Sequence, residues 1–295
     1  MTATRAWFIA AAAFAVASVV MGTVVCATES GAACPNWPGC YPDQFAPEVQ
    51  LNPMIEFLHR VVAALTGPVV LIAAILARKV ADPRPRRLAW VGLAGTISAG
   101  VFGMLIVKIG IPWWLGMVDL ASALVATVAL IVAALLMAPG ATWTPGRTAR
   151  LAWAAVGTLA VMHLSALAVA GDNAFTRCIS WPLGVFETDH RPVLQWLRIG
   201  LALVAAVLII LVVADGVRTP RLRLPALASG VLLVLELMLM PVLLGGNDYL
   251  TLVTTYAVTA AALFGSVSLL AARVSVAIPP TADPVEAPDA GATAR

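Results

Sequence analysis

Eight long apolar runs fix most of what this chain can become. They cover about Ala6–Val25, Met54–Ala77, Leu88–Val107, Trp113–Met137, Ala149–Ala170, Pro192–Val213, Leu224–Leu244 and Asp248–Ala272. A run of roughly 20 apolar residues spans the hydrocarbon of a bilayer as a helix. No water is available there to bond backbone amides, so each segment must satisfy its own. The expected fold class is an all-α polytopic membrane protein with eight transmembrane helices. Composition agrees: 61% of residues are hydrophobic and 11% charged, too little polar surface for a soluble domain. The first run follows Arg5 and is longer than the apolar core of a secretory signal, so it reads as a retained helix.

Charge sets the expected orientation. Arg78, Lys79, Arg84, Arg86 and Arg87 follow the second run, Arg147 and Arg150 the fourth, and Arg218, Arg221 and Arg223 the sixth. The opposite loops hold only Lys108, Arg177 and Arg191 near their ends. Positive residues stay cytoplasmic, which places both termini inside the cell membrane and the cysteine-bearing loops outside. A net charge of +3, scattered between spans, argues against a nucleic-acid partner and leaves the lipid bilayer as the environment. Pro279 to Arg295, rich in Pro, Ala and Asp, reads as a disordered cytoplasmic tail.

The chain also looks duplicated. Cys34-Pro-Asn-Trp37-Pro38 is echoed by Cys178-Ile-Ser-Trp181-Pro182, and each precedes a helix with an early arginine, Arg60 or Arg198. Gly-Ile-Pro-Trp-Trp before the fourth span has a positional counterpart in Gly-Gly-Asn-Asp-Tyr before the eighth. Four spans return the chain to its starting side, so two parallel repeats follow. The division is residues 1–140, residues 141–275 and a tail from 276 to 295, giving two pseudo-symmetric four-helix bundles.

Ionisable groups inside a membrane are costly and point to function. Counted from the outer ends of their helices, Glu56, His59, Arg60, Asp119, His163, Arg198, Glu236 and Thr255 share one depth in the outer leaflet. Glu56, His59 and Arg60 lie three and four residues apart, on one helix face. A plain reading makes Glu56–Arg60 an ion pair tying the helix top, with His59 a polar bystander. A sharper one makes His59 an axial ligand to heme iron, with arginines nearby to meet propionates. Asp119 pairs with Arg60 or bonds His59, or ligates iron itself. His163 either touches Glu236 or a loop, or stands in as a ligand, and His190 falls at the membrane boundary. Trp37, Trp113, Trp114 and Trp181 suit an interfacial belt.

The stretch Thr28-Glu-Ser-Gly-Ala-Ala-Cys34-Pro-Asn-Trp-Pro-Gly-Cys40, followed by Glu56-Phe-Leu-His59-Arg60, resembles the heme A synthase family. The resemblance implies eight spans in two halves and oxidation of a heme O ring methyl to a formyl. It implies heme b and/or heme O as cofactor, and partners in heme O synthase and cytochrome c oxidase assembly. Carried over by residue, it makes His59 an axial ligand, Glu56 the acid beside the substrate heme, and Cys34 with Cys40 the outer disulfide or redox pair. Arg60, Asp119 and Arg198 then belong to the heme surroundings. Each half of the family brings two histidines, yet the other three positions here read Asp119, Leu197 beside Arg198, and Thr255 or Tyr256. Cys26 and Cys178 are left, and a bridge between the halves is one option for them.

Four functions from different classes remain. One is an enzyme of the heme A synthase type. Another is a non-catalytic heme-binding or assembly paralogue that has lost the second heme site. A quinone-linked disulfide oxidoreductase lacks the Cys-x-x-Cys pair it would need. A transporter lacks broken helices at matching positions. Self-association is left open.

Overall fold

The computed structural model describes residues 2–110, 112–169, 178–182, 192–245 and 249–279. Arg177, His190, Arg191, Asp248 and all of the expected tail beyond Pro279 lie outside the described residues. Eight helices among the described residues are long and apolar enough to cross a membrane. They are α1 (Thr2–Ala27), α2 (Leu51–Ala77), α3 (Pro83–Ile109), α4 (Trp113–Leu136), α5 (Arg147–Val169), α6 (Pro192–Val217), α7 (Pro220–Gly245) and α8 (Tyr249–Ser275). A two-stranded antiparallel clasp pairs β1 (Thr142–Trp143) with β2 (Val276–Ala277) at the arginine-rich end.

The helices pack as two rings with the same connectivity. In the first, α1 packs on α2, α2 on α3, α3 on α4 and α4 back on α1; α5 to α8 repeat the circuit. The rings meet through α1 with α8, α4 with α5, and α4 with α8, as expected for a pseudo-two-fold running beside α4 and α8. Close helix approach uses small residues, as membrane packing requires. A Cβ added at Gly92 would stand 2.7 Å from Leu130, and one at Gly95 would stand 2.8 Å from the Ser122 carbonyl, so α3 and α4 touch almost backbone to backbone. Serine pairs bridge equivalent helices: Ser98 with Ser122 between α3 and α4, and Ser229 with Ser266 between α7 and α8, each at 2.8 Å.

The two rings differ in what fills them. The second is packed along its whole length, by a core running from Ala152 past Leu159 and Met162 to Trp181 and Tyr256. The first is packed only at its arginine-rich end, around Phe8, Ala11, Ala74, Ala89 and Leu130. Towards the cysteine loop, no residue from Phe57 to Leu65 on α2, Ala94 to Ile109 on α3, or Met117 to Ala123 on α4 is buried. Apart from the close approach of α3 and α4 at Gly95 and Ser98–Ser122, these segments are only half-buried or exposed.

Candidate functional site

The cysteine loop sits over that loosely packed region and is held from below by one arginine. Arg60, on the third turn of α2 next to His59, forms an ion pair with Glu56 at 2.8 Å. Its other nitrogens donate to the carbonyls of Cys34 at 2.6 Å, Gly39 at 3.0 Å and Asn36. The guanidinium is therefore committed to the loop and to Glu56. Phe45 packs edge-on against Phe57 of α2, with ring centroids 5.8 Å apart, and pins the rest of the loop. Cys34 and Cys40 are joined, with sulfurs 2.00 Å apart. Cys26 at the end of α1 is joined to Cys178 of the second half, so a covalent bond crosses between the rings.

His59 lies against α1 at Gly22, where a Cβ would come within 3.2 Å of the imidazole Cε1. Its Nδ1 is buried with no hydrogen-bond partner. The imidazole is thus seated by shape against α1, with Nδ1 unpartnered. Asp119, on the diagonally opposite α4, has Oδ1 4.0 Å from where a Cβ on Gly103 of α3 would be. The expected pairing of Asp119 with Arg60 or His59 does not form: among the described residues it makes no ion pair or hydrogen bond. The reason is that Arg60 already spends its donors on Glu56 and loop carbonyls.

The second half repeats the arginine and not the opening. Arg198 is fully buried and donates to the Met162 carbonyl, Gln195 Oε1 and the Ser180 carbonyl, at 3.3, 3.2 and 3.4 Å. Ser180 follows Cys178 by two, as Asn36 follows Cys34, so each half has an arginine holding the same loop position. Leu197 is 55% exposed and does not pack inside beside Arg198. Thr255 is exposed and bonds back to the Thr251 carbonyl, so it leaves the polar layer; Tyr256 takes the interior position, its hydroxyl 3.4 Å from the Trp181 carbonyl. Trp181, expected at the interface, is only 2% exposed and packs into the core beside Tyr256. Trp113, Trp114 and Trp37 do lie exposed.

His163 and Glu236 are also fully buried in this half. They do not bond each other: both imidazole nitrogens and both carboxylate oxygens lack hydrogen-bond partners. Arg198 and the Ser180 backbone face His163, and the Trp181 backbone faces Glu236, outside hydrogen-bonding geometry.

The two halves differ in how well they suit a heme. The first half fits: an orphaned imidazole nitrogen, a glycine seat and loosely packed helix segments coincide below a clamped loop. The second does not: the residue beside the arginine is Leu197, which is exposed, and Trp181 with Tyr256 fills the interior. Among the described residues there is no group of three His, Cys, Asp or Glu that could hold a metal ion without a cofactor. The sequence singled out His59, Glu56 and the cysteines, and Cys34 and Cys40 are indeed joined. It did not single out Gly22, whose role lies in an absent side chain.

No protein-family model matches the chain. It is similar to a heme A synthase of Geobacillus kaustophilus (strain HTA426), at 28% identity over 278 residues, covering 88% of this chain and 86% of the relative. It is similar also to a heme A synthase of Geobacillus thermodenitrificans, at 26% identity over 291 residues, covering 90% and 89% respectively. The similarity thus runs the length of both rings and is not confined to the first loop. It supports a multi-pass membrane protein of the heme A biosynthesis type.

Proposed function

We propose that this chain is a heme A synthase-type membrane protein that holds its heme in the first half, with His59 as an axial ligand. The observation that carries this is the coincidence of His59, its Nδ1 unpartnered, with the loosely packed outer parts of α2, α3 and α4, where the matching part of the second ring is filled by Trp181 and Tyr256. A bound heme supplies the redox chemistry that turns a ring methyl into a formyl. The chain's own part is to seat and shield it. Gly22 leaves room for the imidazole, the Arg60-clamped loop closes the outer end, and Glu56, fixed by Arg60 one turn from His59, is the acid beside the ring. Asp119, on the diagonally opposite helix, would add a polar group to the heme surroundings. In this reading the protein lies in the plasma membrane with both termini cytoplasmic and both disulfides outside. It receives heme O from heme O synthase and serves cytochrome c oxidase assembly.

One observation favours a second reading, a non-catalytic heme-binding or assembly paralogue. The second half, where the family has its other histidine pair, is filled by protein. Pigment extracted from the purified full chain separates the two, since heme A among the products requires catalysis. Preparations made with ample porphyrin should show a Soret band that falls in His59→Ala. A band that survives unchanged discards His59 as ligand, and a colourless protein ends the proposal.

A further inference from the structure

Away from the heme region, a groove of about 660 Å³ opens at the arginine-rich end, between α3 of the first ring and α5 of the second. These two helices have no substantial packing with each other, and α4 forms the floor between them. The walls are apolar, with Val91, Val128 and Val156 among them, while the two exposed arginines Arg84 and Arg87 stand at the mouth. Trp143 and Trp153, with rings 6.3 Å apart, close the end beside the strand clasp.

We infer that this groove is a binding site for an anionic phospholipid of the leaflet on that side. Length argues for a lipid. The floor runs along α4 from Leu136 to Leu124, roughly 18 Å at the helical rise, which is one leaflet of a hydrocarbon core about 30 Å thick. A partner helix would need a seam through both leaflets. Charge argues for an anion. Arg84 and Arg87 lie three apart on one face of the first turns of α3, at headgroup level, and neither guanidinium has a hydrogen-bond partner among the described residues. Arg221, at the same end of α7, is by contrast already spent on the carbonyls of Val276 and Ile278. Basic pockets between transmembrane helices are a recurrent seat for anionic headgroups. An acyl chain lies along the valines, and the phosphate meets the arginine pair.

The full chain, purified in detergent, can be offered equal amounts of phosphatidylglycerol and phosphatidylcholine with the same acyl chains, and retained lipid counted by native mass spectrometry. Wild type should retain phosphatidylglycerol preferentially. R84Q/R87Q should reduce that preference by roughly fivefold for each arginine removed. R223Q, which removes an exposed arginine outside the groove, should not change it. Gly157 lines the groove with nothing within 4 Å of an added Cβ, so the side chain of G157L starts out into the groove and takes up its space. It should lower retention of both lipids. Equal retention of the two lipids by wild type, or a preference that survives R84Q/R87Q, overturns the inference. So does a loss in R223Q as large as that in R84Q/R87Q. None of these readouts depends on heme content.

Discussion

At the scale of single residues, the two arginines decide more than their charge suggests. Arg60 joins a carboxylate and three backbone carbonyls at the edge of a membrane, where unmet polar groups are expensive. Arg60→Gln leaves Glu56 unpaired and the carbonyls of Cys34, Asn36 and Gly39 without donors. Losing one partner of a buried pair typically costs ~3–5 kcal/mol, so the variant should unfold at lower temperature in detergent, and the 41–50 segment should be cut faster by protease. Arg60→Lys keeps the charge but loses the fork, and should fall between the two. Unchanged melting and cleavage in Arg60→Gln would remove the clamp from the account. Gly22 gives a second test. An alanine asks the imidazole of His59 to move by a few tenths of an ångström, whereas leucine occupies its seat. Gly22→Ala should keep nearly the wild-type heme content and Gly22→Leu should lose it as His59→Ala does; full heme in Gly22→Leu would place the ligand elsewhere. The sequence revealed the Glu56–Arg60 pair through its spacing on one helix face. It could not reveal what the rest of the guanidinium binds, because backbone carbonyls leave no mark on residue identity.

At the scale of elements, the apolar runs announced all eight helices, and the helices mostly extend past them. The third begins at Pro83, five residues before its apolar run, because Asp82 caps the Arg84 amide at 2.9 Å and Pro83 fits the first helical turn. Arginines in that turn lie at headgroup depth, where hydropathy is blind to helix. The links between elements were less legible. Cys26 and Cys178 are 152 residues apart, and it is the packing of the two rings on each other that brings them together. That link has a direct test. A protease site inserted at Gly146, which has open space around it, allows the chain to be cut between the rings. The halves should stay joined on a denaturing gel without reductant and separate when reductant is added. In Cys178→Ser they should separate in both. Separation of the wild-type halves without reductant would mean that Cys26 and Cys178 are not paired.

At the scale of the whole molecule, the same circuit of helices is built twice and used differently. Each ring keeps its arginine, its loop and its serine bridge, so the duplicated frame does not by itself require a cofactor. What distinguishes the rings is volume. In the first, the helix segments near the cysteine loop are only half-buried or exposed; in the second, Trp181, Tyr256 and Arg198, all at most 2% exposed, close the equivalent space. Interiors pack at near-crystalline density, so a space filled by an indole and a phenol does not also admit a porphyrin without repacking. The number of hemes per chain therefore tests the asymmetry itself. Pyridine hemochrome analysis against protein concentration should approach one heme per chain. His59→Ala should take that value towards zero, while Trp181→Leu and Tyr256→Phe, which act only in the second half, should leave it at one. A value near two would show that the second ring opens despite its core. Loss of heme in Tyr256→Phe would show that the tyrosine itself supports the bound group. A value near one that persists in His59→Ala would move the site out of the first ring altogether, since no other histidine lies in its described helices.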